Sequence, residues 1–175
     1  NLVYLCKHYG LDEVAEYWHQ VVKINDYQKK RFAQKIIAHF GGNLEGKTIA
    51  ILGWAFKANT NDSRESAAIY VADYLLEAGA RLHIYDPMVS QERILSDLEE
   101  VGQKHNFSFD KEKVITSINS MEGVLNETDA VAILTEWEEF KQFDFTKNNY
   151  SSIAFFDGRN IIPKTDSINQ YSIGK

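Results

Sequence analysis

From Lys47 onward the chain alternates short apolar runs with amphipathic stretches, and few folds accommodate that order. Lys47 to Leu52 reads as a first strand ending at Gly53. Ser63 to Ala78 reads as a helix with Ile69, Val71, Ala72, Leu75 and Leu76 on its apolar face, closed by Gly79. Arg81 to Tyr85 is a second strand, stopped by Asp86-Pro87, and a polar helix follows from about Ser90 to His105. After a loop at Asn106 to Asp110, a short strand is expected at Val114 to Thr116 and a weak helix at Met121 to Asn126. Strands at Ala130 to Leu134 and Ser152 to Phe156 flank a helical turn near Trp137, and Tyr171 to Ile173 is a candidate edge strand. Repeated β-α-β units require parallel strands with right-handed crossovers. The expected fold class is α/β: a Rossmann-like parallel sheet with flanking helices, preceded by a long helix.

Such a sheet binds ligands at the carboxyl ends of its strands, near the point where strand order reverses. Here those ends are polar: Lys57 after the first strand, Asp86 after the second, Thr135-Glu136-Trp137 after the third long one, and Asp157-Gly158-Arg159 after the fourth. The spacing Asp62-x-x-Glu65 fits a capping box, which would start the helix there and leave an anion site at its amino end. Arg64 would then lie in the first turn, where the helix dipole disfavours a cation unless something negative is close. The alternatives are plain: Lys57 and Arg64 solvated on a loop, Asp86 serving the turn at Pro87, Trp137 covering the sheet.

The first forty residues follow another pattern. Residues 1 to 9 read as the end of a helix stopped by Gly10. From Asp12 to Phe40 an apolar stripe (Val14, Trp18, Val21, Ile24, Phe32 and Ile36, widened by Ala15, Val22 and Ile37) marks a helix of roughly 40 Å. A small domain cannot cover that length, so part of the stripe is expected to pack on a subunit partner or another domain. Asn25 and Gln28 interrupt the stripe, as a solvated stretch or as a polar pair fixing helix register. Lys29-Lys30-Arg31 is expected to be a solvated face, with a basic patch for a partner as the weaker reading.

Other chemistries are disfavoured. The net charge of -6 argues against a nucleic-acid binder. No run approaches the ~18 apolar residues of a membrane span. The single cysteine excludes an internal disulfide and fits a reducing, cytoplasmic setting. Cys6, among Leu2, Val3 and Leu5, reads as a packing residue, and the scattered histidines (8, 19, 39, 83, 105) give no metal-ligand spacing. No G-x-G-x-x-G follows the first strand, and Gly53-Trp-Ala-Phe places bulk where a pyrophosphate would approach. The chain begins at Asn1 inside an apolar run, which reads as a piece of a longer protein.

Taken together, several segments resemble the UDP-glucose 6-dehydrogenase family. They are Asn1-Leu-Val-Tyr-Leu-Cys, Glu13-Val-Ala-x-Tyr-Trp-x-Gln-Val-Val, Asn25-Asp-Tyr-Gln-Lys-Lys-Arg-Phe, Gly53 to Ser66, Ile84-Tyr-Asp-Pro, Thr135-Glu-Trp, Phe156-Asp-Gly-Arg and Ile173-Gly-Lys. The resemblance implies connecting and dimerisation helices over residues 1–43 and a UDP-sugar-binding Rossmann-like domain over 44–175. It implies a parent enzyme that oxidises UDP-glucose to UDP-glucuronate in two steps with two NAD, through a cysteine thiohemiacetal and thioester. That cysteine, in a G-x-C-x-x-K-D motif, would lie upstream of Asn1, and Cys6 does not match it. No catalytic residue is therefore expected here. NAD would be bound mainly by an amino-terminal domain.

By the same resemblance Phe56, Lys57 and Arg159 contact the UDP-sugar and Arg64 reaches the NAD. Trp54, Ala58, Asn59 and Asn61 depart from the family pattern, and Asn61 in place of glycine is expected to tolerate a left-handed backbone. Two other readings stand beside this one. One is a non-catalytic nucleotide-sugar-binding and dimerisation module, and the other is a related dehydrogenase of a different UDP- or GDP-sugar. Tyr17-Trp18 and Asp26-Tyr27-Gln28 favour the UDP-glucose enzyme.

Overall fold

Six strands run parallel in the order β3-β2-β1-β4-β5-β6 in a computed structural model that describes residues 2–116, 120–146 and 150–173. They are β1 (Thr48–Leu52), β2 (Arg81–Tyr85), β3 (Val114–Ile115), β4 (Ala130–Ile133), β5 (Ala154–Asp157) and β6 (Asn169–Ser172). Helices α1 (Leu2–His8) and α2 (Asp12–His39) precede the sheet. Helices α3 (Ala67–Glu77), α4 (Gln91–His105), α5 (Met121–Leu125) and α6 (Glu138–Gln142) lie between strands. This is the doubly wound order, with its reversal between β1 and β4. The expected fold class is the observed one. Asn1, Gly174 and Lys175, quoted above as part of the resemblance, lie outside the described residues.

The strand sequences explain their places. β4 and β5 are buried along their whole length, as central parallel strands covered on both faces must be. β2 alternates, burying Leu82 and Ile84 and exposing Arg81, while β6 at the edge is only half-buried. Asp129 sets the register of the centre: its carboxylate accepts from Lys47 Nζ at 2.8 Å and from the Thr48 amide at 2.9 Å.

Helix α2 has 28 residues, about 42 Å at 1.5 Å per residue, and its two halves differ. Phe32, Ala33 and Ile36 are buried in the carboxyl half, which packs along α3 and reaches β5 and β6. His39 meets Phe156 edge-on at 5.6 Å, and Lys35 Nζ donates to the Ser172 carbonyl at 3.1 Å. In the amino half Ala15 alone is buried, against α1, where Cys6 is buried as a packing residue. Val14, Trp18, Val21 and Ile24 are exposed.

Three expectations are corrected. Helix α3 starts at Ala67, four residues later than expected, and Ser66 rather than Asp62 is its cap, accepting from the Ala68 amide. Asp62 instead accepts from the Arg64 amide at 3.0 Å, and Glu65 sits at φ 60 with its carboxylate on the Tyr70 hydroxyl at 2.8 Å. The capping-box spacing is overridden because residues 53–66 are wound into a loop, closed by the Phe56 amide on the Asp62 carbonyl at 2.8 Å. Within that loop the left-handed asparagine is Asn59, at φ 63, not Asn61. Lys29 is not solvated: its ammonium lies 3.8 Å above the Tyr70 ring and 3.3 Å from Asp26, with its side chain 15% exposed.

Candidate functional site

At the strand-order reversal, where a ligand crevice belongs, a cleft of about 640 Å³ opens over the carboxyl ends of β1, β4 and β5. Beneath it the strand ends approach one another so closely that they need glycine, and of the two glycines Gly158 lines the cleft itself. Gly53, directly after β1, has φ +93, and a Cβ there would lie 2.4 Å from Thr135 Cβ. Gly158, after β5, lies so close to β4 that a Cβ would meet the Ile133 carbonyl oxygen at 2.7 Å.

Three loops bring side chains to this cleft. The β1 loop supplies Phe56 and Lys57, the β4 end supplies Glu136, and the β5 end supplies Arg159. Arg159 is fixed: its Nε donates to the Leu134 carbonyl at 2.7 Å and lies 3.3 Å from Glu136 Oε2. The turn beneath it is held by Asp157, fully buried, whose two oxygens accept from the amides of Arg159 and Ile162. Lys57 makes no side-chain hydrogen bond or ion pair among the described residues, so its ammonium is available to a ligand. Phe56 is 53% exposed, an apolar ring face turned out of the core beside two cations.

The fourth wall was missed by sequence reasoning. Asn25 and Gln28 of α2 line the cleft together with Phe32. The interruption of the apolar stripe at those two positions was the available signal, and neither reading of it, solvation or helix register, included a cleft. Glu136 was visible only as part of a polar strand end.

The loops themselves are held by two carboxylates. Asp86, at the end of β2, accepts from the amides of Trp54 at 2.7 Å and Ala55 at 2.9 Å and from Trp137 Nε1 at 3.0 Å. Asp97, buried in α4, accepts from Trp54 Nε1 at 3.0 Å and Ser63 Oγ at 2.5 Å and pairs with Arg93 at 2.8 Å. Thr135 Oγ1 donates to the Ala55 carbonyl at 2.7 Å.

Arg64 is apart from Phe56, Lys57 and Arg159. It flanks a separate groove with Asn61, Ser63 and Arg93, and its guanidinium grips Asp62 through two bonds of 2.9 and 2.7 Å. That hydrogen bonding holds the Asp62 carboxyl down at about 2.

The β1 turn does not fit a dinucleotide. In a dinucleotide-binding domain the amides of this turn take the pyrophosphate. Here the Trp54 and Ala55 amides are spent on Asp86, and the Trp54 ring is wholly buried. No helix among the described residues is long and apolar enough to cross a membrane.

Comparison with known proteins gives the family and the fold. The UDP-glucose/GDP-mannose dehydrogenase family, UDP binding domain, matches residues 50–164. UDP-glucose 6-dehydrogenase of Drosophila melanogaster is 47% identical over 167 residues, covering 93% of this chain and 34% of its own length. UDP-glucose 6-dehydrogenase 2 of Arabidopsis thaliana is 43% identical over 193 residues, covering all of this chain and 39% of its own length. The chain thus spans little more than a third of the curated relatives it matches. A UDP-glucose dehydrogenase from Pyrobaculum islandicum superposes with a TM-score of 0.68 at 26% identity, over 98% of this chain and 34% of that one. GDP-mannose dehydrogenase from Pseudomonas aeruginosa, with a TM-score of 0.70 at 21% identity over 98% of this chain and 36% of its own, shares the fold. With the family match across most of the chain and relatives this similar, the protein belongs to the UDP-glucose/GDP-mannose dehydrogenase family and carries its UDP-binding domain.

Proposed function

We propose that this chain is the nucleotide-sugar-binding part of an NAD-dependent dehydrogenase that oxidises UDP-glucose to UDP-glucuronate in two steps. The observation that carries this reading is the convergence of Phe56, Lys57 and Arg159 on one cleft at the strand-order reversal. A UDP-sugar has a flat base and a diphosphate. Phe56 offers the base a ring face, and Lys57 and Arg159 offer the diphosphate charge-assisted hydrogen bonds. Asn25 and Gln28 add neutral donors and acceptors of the kind that hydroxyls need.

The division of labour follows from what the residues can and cannot do. These residues bind and orient the substrate. The β1 turn does not accept a dinucleotide, so NAD is held mainly by another domain, with Arg64 as this chain's contact to it. The cysteine nucleophile also comes from elsewhere. Residues 1–43 serve as connecting and dimerisation helices and 44–175 as the UDP-sugar domain. The exposed apolar residues of α1 and of the amino half of α2 support a homodimer built on those helices. A cytoplasmic location, drawn from the single cysteine, is part of the same proposal.

Titration of the chain with UDP by calorimetry tests the reading. Saturable UDP binding that UDP-glucose matches and uridine alone does not is the expected result. A chain that leaves UDP unbound refutes the proposal. GDP binding as tightly as UDP would favour a related dehydrogenase of another nucleotide sugar.

A further inference from the structure

Asp86 has a local task and a distant one. Its Oδ1 accepts from the Met88 and Val89 amides at 2.9 and 3.0 Å, which makes the turn at Pro87. Its Oδ2 accepts three more donors: Trp54 N, Ala55 N and Trp137 Nε1. These come from the loops after β1 and β4, at sequence separations of 32, 31 and 51 residues. An ionised carboxylate offers about four lone-pair sites, so Asp86 has none left for a ligand.

The three distant donors are placed in a telling way. Ala55 immediately precedes Phe56 and Lys57, and Trp137 immediately follows Glu136, whose carboxylate lies against Arg159. One carboxylate therefore joins the loop carrying Phe56 and Lys57 to the loop that steadies Arg159. In a dinucleotide-binding sheet the amides of the first turn hold a phosphate and an acid near the end of the second strand takes the ribose hydroxyls. In this chain the acid has closed on the amides instead.

We infer that Asp86 is the positioning residue of the nucleotide-sugar site, an internal anion that occupies the turn's phosphate position and locks the β1 and β4 loops in binding geometry. The inference rests on the cleft being the UDP site. The carboxylate itself does not touch the ligand. Its effect on binding is carried by Phe56, Lys57 and Arg159.

The experiment measures UDP affinity of the chain by calorimetry and its melting temperature in parallel. Asp86→Ala leaves the amides of Trp54 and Ala55 and the indole N–H of Trp137 converging on a vacated anion position. UDP affinity should fall about tenfold or more, the scale of displacing one charge-assisted bond from Lys57 or Arg159. Formate should then restore it saturably, because a small carboxylate can take the vacated place. The comparison variant is Leu125→Ala, buried in α5, which lowers the melting temperature without touching the loops. Its UDP affinity should be unchanged, with no response to formate.

Failure of the original chain to bind UDP would remove the reading of the cleft itself. With that binding intact, unaltered affinity in Asp86→Ala, or a loss that formate does not reverse, overturns the inference. If Asp86→Ala does not fold, Trp137→Phe decides: it deletes the Nε1 bond and also part of the buried indole, so its melting temperature is read beside its affinity. Weakened UDP binding with melting within a few degrees of the original supports the positioning role, and unchanged binding overturns it.

Discussion

Gly53 and Thr135 face each other across the two central strands, and a Cβ on Gly53 would lie 2.4 Å from Thr135 Cβ and 2.7 Å from Thr135 N. The contact is what lets β1 and β4 end side by side. The backbone at Gly53 is also left-handed, at φ +93. Gly53→Ala therefore meets two penalties, strain and overpacking, which together should cost on the order of 2–5 kcal/mol. Trimming Thr135 would not relieve the clash, because its backbone amide is part of it. Urea denaturation checks this, and a midpoint within error of the original would mean the strands can separate freely.

Lys57 and Arg159 should separate binding from stability. Lys57 has no partner among the described residues, so Lys57→Ala should weaken UDP binding about tenfold and leave the melting temperature unchanged. Arg159→Ala should weaken binding at least as much and also lower the melting temperature, since it abandons the Leu134 carbonyl at 2.7 Å. In an enzyme containing this domain the same order should appear in kcat/KM for UDP-glucose. Near-original binding in both variants would make them ordinary surface cations.

The chain by itself should form no NADH from UDP-glucose and NAD. Its β1 turn is closed by Asp86, and its single cysteine, Cys6, is buried between α1 and α2. Absorbance at 340 nm rising above a blank lacking protein would contradict both the closed turn and the assignment of the nucleophile to another part of the enzyme.

Strand and helix order was legible because punctuation and apolar runs are local signals: Gly53, Gly79 and Asp86-Pro87 each stop an element where expected. The start of α3 was not, because what holds residues 53–66 in a loop is distant. Ser63 and the Trp54 indole both reach Asp97, 34 and 43 residues away. Asp86 shows the same divide in one side chain. Its turn with Met88 and Val89 could be read from Asp-Pro, while its three other donors could not. Asn25 and Gln28 were visible as an interruption, but the cleft they line exists only once β4 and β5 have brought Leu134 and Arg159 alongside α2.

The amino half of α2 should hold two chains together. Trp18, Val21 and Ile24 are 37%, 38% and 52% exposed, on one stripe of a helix whose buried residues lie mostly at the other end. Val21→Glu with Ile24→Glu should shift sedimentation from dimer to monomer while leaving the sheet's melting nearly unchanged. A chain that sediments as a monomer at high concentration would sink this use of the helix.

His83 should make the domain sensitive to mild acid. It lies on β2, half-buried, and its Nδ1 has no hydrogen-bond partner among the described residues. Burial penalises the charged ring and pulls its pKa below the ordinary value of about 6.5, and a hydrogen bond to the Val124 backbone only partly opposes this. The unfolded chain therefore binds this proton more readily than the folded one. Stability from the neutral ring is complete above the unfolded value and is lost as pH falls through that value toward the lower folded one. His83→Val suits the strand and cannot take up the proton. Melting temperatures measured from pH 8 to pH 5 should fall more steeply for the original chain than for the variant. Parallel curves would show that the acid response originates elsewhere.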